Sequence, residues 1–354
     1  MMEHGKFLNG TDDQVSRKKL VLITEAWSPQ INGVVTTLKN IIPFIESNKI
    51  DVTVIDPSLF QSVSLIGYPD VQVSFPFTTL PKKLSCIDPD YIHIATEGPM
   101  GLIARHWAIK NKKVFTTSYH TNLAEYAWEL YKIPTSPVLN YMKWFHSQSS
   151  QVLVPTKSIF DHLNENQFSN LKVWARGIDP NIFSDDIKSE PFMSQTKKSK
   201  VLLYVGRISK EKNLEVLCNI AKSSNYECWI VGDGPHLSTL KNEFSKYVHF
   251  FGAIEHEELT KFYRAADVFV FPSLTDTFGL VLIESMACGT PVAAYPVKGP
   301  IDIVKQGVSG ILNKDLGSAI EEAQAIPRSK VSQYGKKFTW ENCAQIFLET
   351  ITLN

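Results

Sequence analysis

The sequence predicts an α/β protein of two Rossmann-like, doubly wound domains facing a central cleft, and three observations carry that expectation. Short apolar runs alternate with helical patterns; the alternation breaks once, in a polar stretch after residue 178; it then restarts with a similar period. Apolar strands separated by helices mean parallel strands buried on both faces, because each crossover helix covers the sheet. A length of 354 residues suits two cores better than one, at roughly 100–200 residues per domain.

In chain order, KKLVLITEAW (18–27) is the first strand, followed by the loop SPQINGVV and the helical pattern VVTTLKNIIPFIES. Further strands are expected at DVTVIDP (51–57), YIHIAT (91–96), KVFTTSYH (113–120) and SQVLVPT (150–156). The segment ARGIDPNIFSDDIKSEPFMSQTKKSK is rich in Pro, Asp, Ser and Lys and reads as a linker. Strands KVLLYVGR (200–207), YECWIVGDGP (226–235), VHFFGAI (248–254), DVFVFPS (267–273) and PVAAYP (291–296) follow, with helical patterns between them. The expected organisation is a tail over 1–18, one Rossmann-like domain over 19–178, a second over 179–336, and a terminal helix over 337–354 that could pack on either domain, crossing back to the first being one option.

Composition narrows the function. Hydrophobic residues make up 44% and charged residues 20%, as in an ordinary globular protein. Lys+Arg and Asp+Glu are equal at 36, so no net field steers the chain toward nucleic acid or anionic lipid. Nucleic acid is therefore not an expected partner. Five scattered cysteines without a C-x-x-C pair speak against a disulfide framework or a structural zinc site and fit a reducing cytosol. Residues 1–19 lack the apolar centre of a signal peptide. No apolar run reaches the roughly 18 residues of a membrane span. The expected location is cytoplasmic.

Ligands of doubly wound sheets bind beyond the carboxyl ends of the strands, so the strand ends matter most. In VGRISKEKNLE, Arg207 leaves the sheet and Lys212 enters the next helix. Two cations beside a helix N-terminus suit phosphate oxygens, although solvated surface charges fit the same residues. In VGDGP, Gly232 and Gly234 allow close backbone approach, and Asp233 is expected to cap a helix beginning at Pro235. A plain turn also explains that stretch. DTFGLVLIE carries two acids, Asp276 and Glu284, eight positions apart. Asp276 falls in the loop after a strand, Gly279 lets a ligand approach the backbone, and Glu284 lies among Leu280, Val281, Leu282 and Ile283. A buried carboxylate is costly without a partner, while an exposed helix face is the plainer alternative. Carboxylates for hydroxyls and helix N–H groups for phosphates together suit a nucleotide sugar.

The ordered set EAWSPQINGVVTTL, SYHT, RGID, VGRISKEKN, VGDGP and DTFGLVLIESMACGTPV resembles the retaining glycosyltransferases of family 4, with FTW resembling the start of the family's closing helix. The resemblance covers nearly the whole chain and implies the two-Rossmann-domain architecture called GT-B. It implies that the first domain binds the acceptor and the second a nucleotide-sugar donor, UDP- or GDP-linked. Arg207 and Lys212 match the basic pair on the donor diphosphate, Asp276 the acid on the transferred sugar, and Glu284 the acid on the ribose. Phe278, Gly279 and Leu280 match the turn lying against sugar and phosphate. Gly33 matches the glycine of the first-domain loop over the diphosphate, and His120 a histidine facing the sugar; composition alone fits a satisfied strand-end histidine equally. Position 276 is Asp where the family's motif has Glu, which leaves sugar identity open.

The implied reaction departs and attacks on one face of the sugar, uses Arg207, Lys212 and helix N–H groups to stabilise the leaving diphosphate, and needs neither metal nor cofactor. Asp88-Pro89-Asp90 has the spacing of a metal-binding Asp-x-Asp, but it precedes a strand and reads as a turn. The acceptor is expected to be a lipid or a saccharide. The aromatic segment 126–148, with Lys132 and Lys143 interleaved, offers an amphipathic face for peripheral membrane contact; ordinary core helices are the other reading. A GT-B epimerase or phosphorylase and a non-catalytic nucleotide-sugar binder are the alternatives. A dinucleotide-dependent dehydrogenase is disfavoured because no G-x-G-x-x-G follows the first strand.

Overall fold

The structure, a computed structural model, describes residues 17–30, 32–65, 68–185 and 200–353. Most of the expected tail and residues 186–199 of the expected linker lie outside the described residues. The first half of the chain forms β1 (Lys18–Ile23), β2 (Ile50–Ile55), the antiparallel pair β3 (Ser62–Leu65) and β4 (Tyr68–Ser74), β5 (Tyr91–Ile94), β6 (Thr116–Ser118), β7 (Val152–Val154) and β8 (Leu171–Val173). Six of these make one sheet in the order β2-β1-β5-β6-β7-β8, every neighbouring pair parallel. The second half supplies β9 (Val201–Val205), β10 (Glu227–Val231), β11 (Val248–Gly252), β12 (Val268–Phe271), β13 (Val292–Ala294) and β14 (Gly310–Leu312). These form a second parallel sheet, ordered β11-β10-β9-β12-β13-β14.

Both sheets reverse their winding once, between β1 and β5 in the first and between β9 and β12 in the second. At such a point the two crossovers leave to opposite faces, and a crevice opens beyond the strand ends. β9, β12 and the end of β1 are apolar; all five residues of β9 are buried, as are Leu20 to Ile23 of β1. The expected strand 113–120 shortens to β6, whose polar side chains are buried because His93 bonds both Thr116 (2.8 Å) and Ser118 (2.7 Å). The β3–β4 pair and the three-residue edge strands β8 and β14 are additional to the strands read from the sequence.

The last helix, Trp340–Thr352, packs on the first domain. Its buried residues Trp340, Cys343, Ala344, Phe347, Leu348 and Ile351 recur every three or four positions, so they share one face. That face meets Leu20 and Leu22 of β1 and Leu38, Ile41 and Ile45 of the helix Gly33–Ser47. Thr339 caps its start by accepting from Asn342 N at 3.2 Å. Where the chain first leaves the first domain, Ile178 pairs with Thr339, and a Cβ on Gly177 would fall 2.3 Å from Trp340 N. The two connections between the domains therefore run in direct contact.

Phe347 is fully buried in this face. Phe347→Ala is expected to destabilise the protein by about 3–5 kcal/mol, against less than about 0.5 kcal/mol for the exposed Gln345→Ala, as measured by urea unfolding.

Candidate active site

The sequence singles out Arg207, Lys212 and Asp276, and the fold brings the last two together at the β9/β12 switch point. After β9, Gly206 turns with φ +146° and the Tyr204 hydroxyl donates to the Arg207 carbonyl at 2.9 Å. A short turn, Lys210–Lys212, follows; Asn213, at φ 55°, ties it to the end of β12 through the Pro272 carbonyl (3.3 Å). Lys212 Nζ then stands 2.7 Å from both carboxylate oxygens of Asp276. The two side chains are only 13% and 19% exposed, so this is a shielded pair rather than a surface one. Arg207 lies exposed on the same strand end. Gly232 and Gly234 serve close packing: Cβ atoms there would sit 1.9 Å from the Gly206 carbonyl oxygen and 2.3 Å from that of Ile208. Asp233 does not cap a helix as expected. The helix begins at Leu237, and Asp233 instead accepts from Gly234 N at 2.7 Å.

Glu284 is 5% exposed, and both its oxygens are engaged. One lies 2.9 Å from His256 Nε2 and the other accepts from the Tyr263 hydroxyl at 2.8 Å. The plainer alternative, an exposed helix position, is therefore ruled out. His256 and Tyr263 lie on the crossover between β11 and β12, a relationship that sequence spacing does not reveal. The helix Leu280–Ala287 begins at Gly279, whose φ of +84° suits glycine, and no side chain caps it. Phe278 is buried in the second core, while Leu280 packs against both cores.

The first domain closes over this helix start. A Cβ on Gly33 would contact Leu280 at 3.5 Å. Thr277 Oγ1 donates to the His120 carbonyl (2.7 Å), Lys298 Nζ pairs with Glu125 (2.8 Å), and Ser158 N and Oγ donate to Asp302 (3.1 and 2.5 Å). A cavity of about 350 Å³ remains between the domains, lined by Asn122, Thr275, Asp276, Thr277, Val297 and Lys298. Its size is that of a small-molecule site. His120 borders the contact: its Nδ1 is 3.0 Å from Arg176 Nη2, and its buried Nε2 has no partner. Burial, then the Arg176 charge, hold its pKa well below the ordinary imidazole value. Asp88 and Asp90 sit at the opposite sheet edge, tied to Lys113 (2.7 Å) and Lys18 (2.8 Å), as a turn.

Family models match both halves of the chain: Glycosyltransferase Family 4 over residues 31–182 and Glycosyl transferases group 1 over residues 186–328. The chain belongs to these glycosyltransferases. It is 27% identical over 315 residues to a GDP-mannose-dependent alpha-mannosyltransferase of Corynebacterium glutamicum, covering 83% of this chain and 76% of that one. It is also 27% identical over 343 residues to an alpha-monoglucosyldiacylglycerol synthase of Streptococcus pneumoniae, covering 86% and 78%. Sucrose-phosphate synthase from Thermosynechococcus elongatus superposes with a TM-score of 0.76 at 20% identity, over 96% of this chain and all of that one. HepE from Anabaena, solved with UDP-glucose, gives 0.71 at 16%, over 95% and 100%. The fold is GT-B.

In the transferase, Glu25 is a further cleft residue, inside a quoted loop but not singled out from sequence. It follows β1 at the first switch point, where one oxygen accepts from Met100 N (2.8 Å) and Gly101 N (3.2 Å). The other oxygen is buried without a partner. Burial outweighs those hydrogen bonds and raises its pKa to about 7. The available signal was an acid placed directly after an apolar strand.

The hydrogen bond to Glu284 raises the His256 pKa above the ordinary value near 6.5. Its stabilising contribution is therefore fully present below about pH 6.5 and is lost as pH rises through the folded-state value. The Tm difference between the transferase and His256→Ala should be largest near pH 6 and shrink by about pH 9.

Proposed function

We propose that this glycosyltransferase moves a hexose, with retention at the anomeric carbon, from a GDP- or UDP-linked donor to a hydroxyl of a lipid or saccharide acceptor. The observation that carries the residue assignment is the Lys212–Asp276 pair: a cation and an acid facing each other, 2.7 Å apart, beside an uncapped helix start. Lys212 and Arg207 would bind the diphosphate, and Asp276 would accept from hydroxyls of the sugar. As the glycosidic bond breaks, negative charge grows on the leaving phosphate, and fixed cations with helix N–H groups stabilise it more than the ground state. Departure and attack on one face let that phosphate take the acceptor's proton. Glu284, oriented by Tyr263 and His256, keeps lone pairs for ribose hydroxyls.

The relatives support a hexose donor of the GDP-mannose kind and a glycolipid-type acceptor. A peripheral membrane contact fits Trp128 and Ile133, which are 46% and 44% exposed, with Lys132 Nζ 5.5 Å from the Trp128 ring centroid. The described residues contain no helix long and apolar enough to cross a membrane. The chemistry calls for no metal, since side-chain cations meet the diphosphate.

Calorimetric titration with GDP-mannose, UDP-glucose and ADP-glucose should show selective binding to one donor. Lys212→Ala should weaken that binding by about 10–100-fold, the scale of a hydrogen bond between charged groups. Wild-type affinity and turnover in both Lys212→Ala and Glu284→Gln would overturn the placement of the site. A methyl on Gly33 meets only ordinary contact within the protein. Gly33→Ala should thus keep its Tm within about 2 °C while losing donor affinity, and EDTA should leave turnover unchanged.

A further inference from the structure

Arg176 is an arginine that is 5% exposed, and among the described residues no carboxylate pairs with it. Its Nη1 donates to the Trp174 carbonyl at 2.5 Å, and its guanidinium lies 4.4 Å from the Trp174 ring centroid. Its Nη2 is 3.0 Å from His120 Nδ1. The same Trp174 meets the His120 ring edge-on at 5.9 Å. A buried cation without a counter-ion is costly, so its place beside a histidine whose carbonyl meets the second domain calls for a reason.

The hydrogen-bond inventory supplies it. A guanidinium only donates. His120 Nδ1 must therefore accept with its lone pair, and a neutral ring then carries its proton on Nε2. That atom is buried without a protein partner, on the residue whose carbonyl accepts from Thr277, the neighbour of Asp276. We propose that Arg176 is a positioning residue that holds His120 as the Nε2–H tautomer, so that His120 serves the transfer as a hydrogen-bond donor to an oxygen of the bound sugar and not as a base. A base would need a lone pair on Nε2, which this tautomer lacks. An imidazolium would set its Nδ1–H against a guanidinium N–H and two like charges side by side; the strongly lowered His120 pKa agrees.

The kinetic half of the test rests on the proposed glycosyl transfer; the tautomer half does not. Long-range ¹H–¹⁵N correlation of histidine-labelled protein, with His120 assigned by His120→Gln, should find the proton on Nε2 at pH 7. A proton on Nδ1 overturns the inference whether or not the enzyme turns over, and whether or not Arg176→Gln folds. Arg176→Gln, whose carboxamide can donate or accept, should give a mixture of tautomers. Its kcat should fall about 10–100-fold with the donor KM within about 3-fold. In the His120→Gln background, where the carboxamide N–H stands near the Nε2 position, the same Arg176 substitution should change kcat by less than about 3-fold. Equal losses in both backgrounds, with His120 still wholly Nε2–H in Arg176→Gln, would mean that Arg176 acts only on structure. Absent turnover by wild type with the Nε2–H form intact would count against the assigned reaction instead.

Discussion

The cleft depends on one topological constraint, the reversal of winding between β9 and β12. Because crossovers leave to opposite faces there, the loops after these two strands are not screened from each other. A lysine from one and an aspartate from the other can therefore meet over the sheet edge. The same reversal between β1 and β5 brings Glu25 to the helix that starts at Pro99. The active-site halves are thus two copies of one geometric consequence, turned to face each other. The side chains that meet there need no long loops to reach across the gap.

Three carboxylates in this cleft show three ways of keeping a charge in poorly hydrated surroundings. Asp276 uses a full cation, Lys212. Glu284 uses a phenol and an imidazole, and so draws His256 toward its protonated form. Glu25 has only backbone N–H groups at a helix start, which do not offset its burial, so it titrates near neutrality. Chemically similar groups are thus held by different partners: a lysine, a phenol with an imidazole, and backbone N–H groups alone.

Much of this was legible in the sequence. Strands such as β1, β9 and β12 announce themselves as apolar runs because both their faces are buried, and Glu284 stands out because it interrupts an apolar run. Its partners did not stand out: His256 and Tyr263 reach it only after a crossover helix has turned back on the sheet. Asp233 departs from its expected cap because the preference of aspartate for helix caps is local, whereas the packing of Gly232 and Gly234 against the neighbouring loop delays the helix to Leu237. β8 and β14 are three-residue edge strands, LKV and GIL, not set in a longer apolar run as β7 and β13 are. Arg176 lies inside a quoted motif, yet its burial and its contact with His120 depend on His120 and on the closing helix that holds Trp174, and both of these come from distant parts of the chain.

The side-by-side passage of the two interdomain connections has a mechanical consequence. Ile178 and Thr339 are bridged, and Gly177 is pressed so closely on the start of the closing helix that no side chain fits between them. A single tether would leave the domains free to slide and swivel in any direction. Two tethers fastened at one spot act as a hinge pin: they resist sliding and leave rotation about that pin as the soft direction. Rotation about that pin opens or closes the cleft, so the interdomain contacts of Lys298 with Glu125 and of Ser158 with Asp302 are ones that such a rotation would make or break.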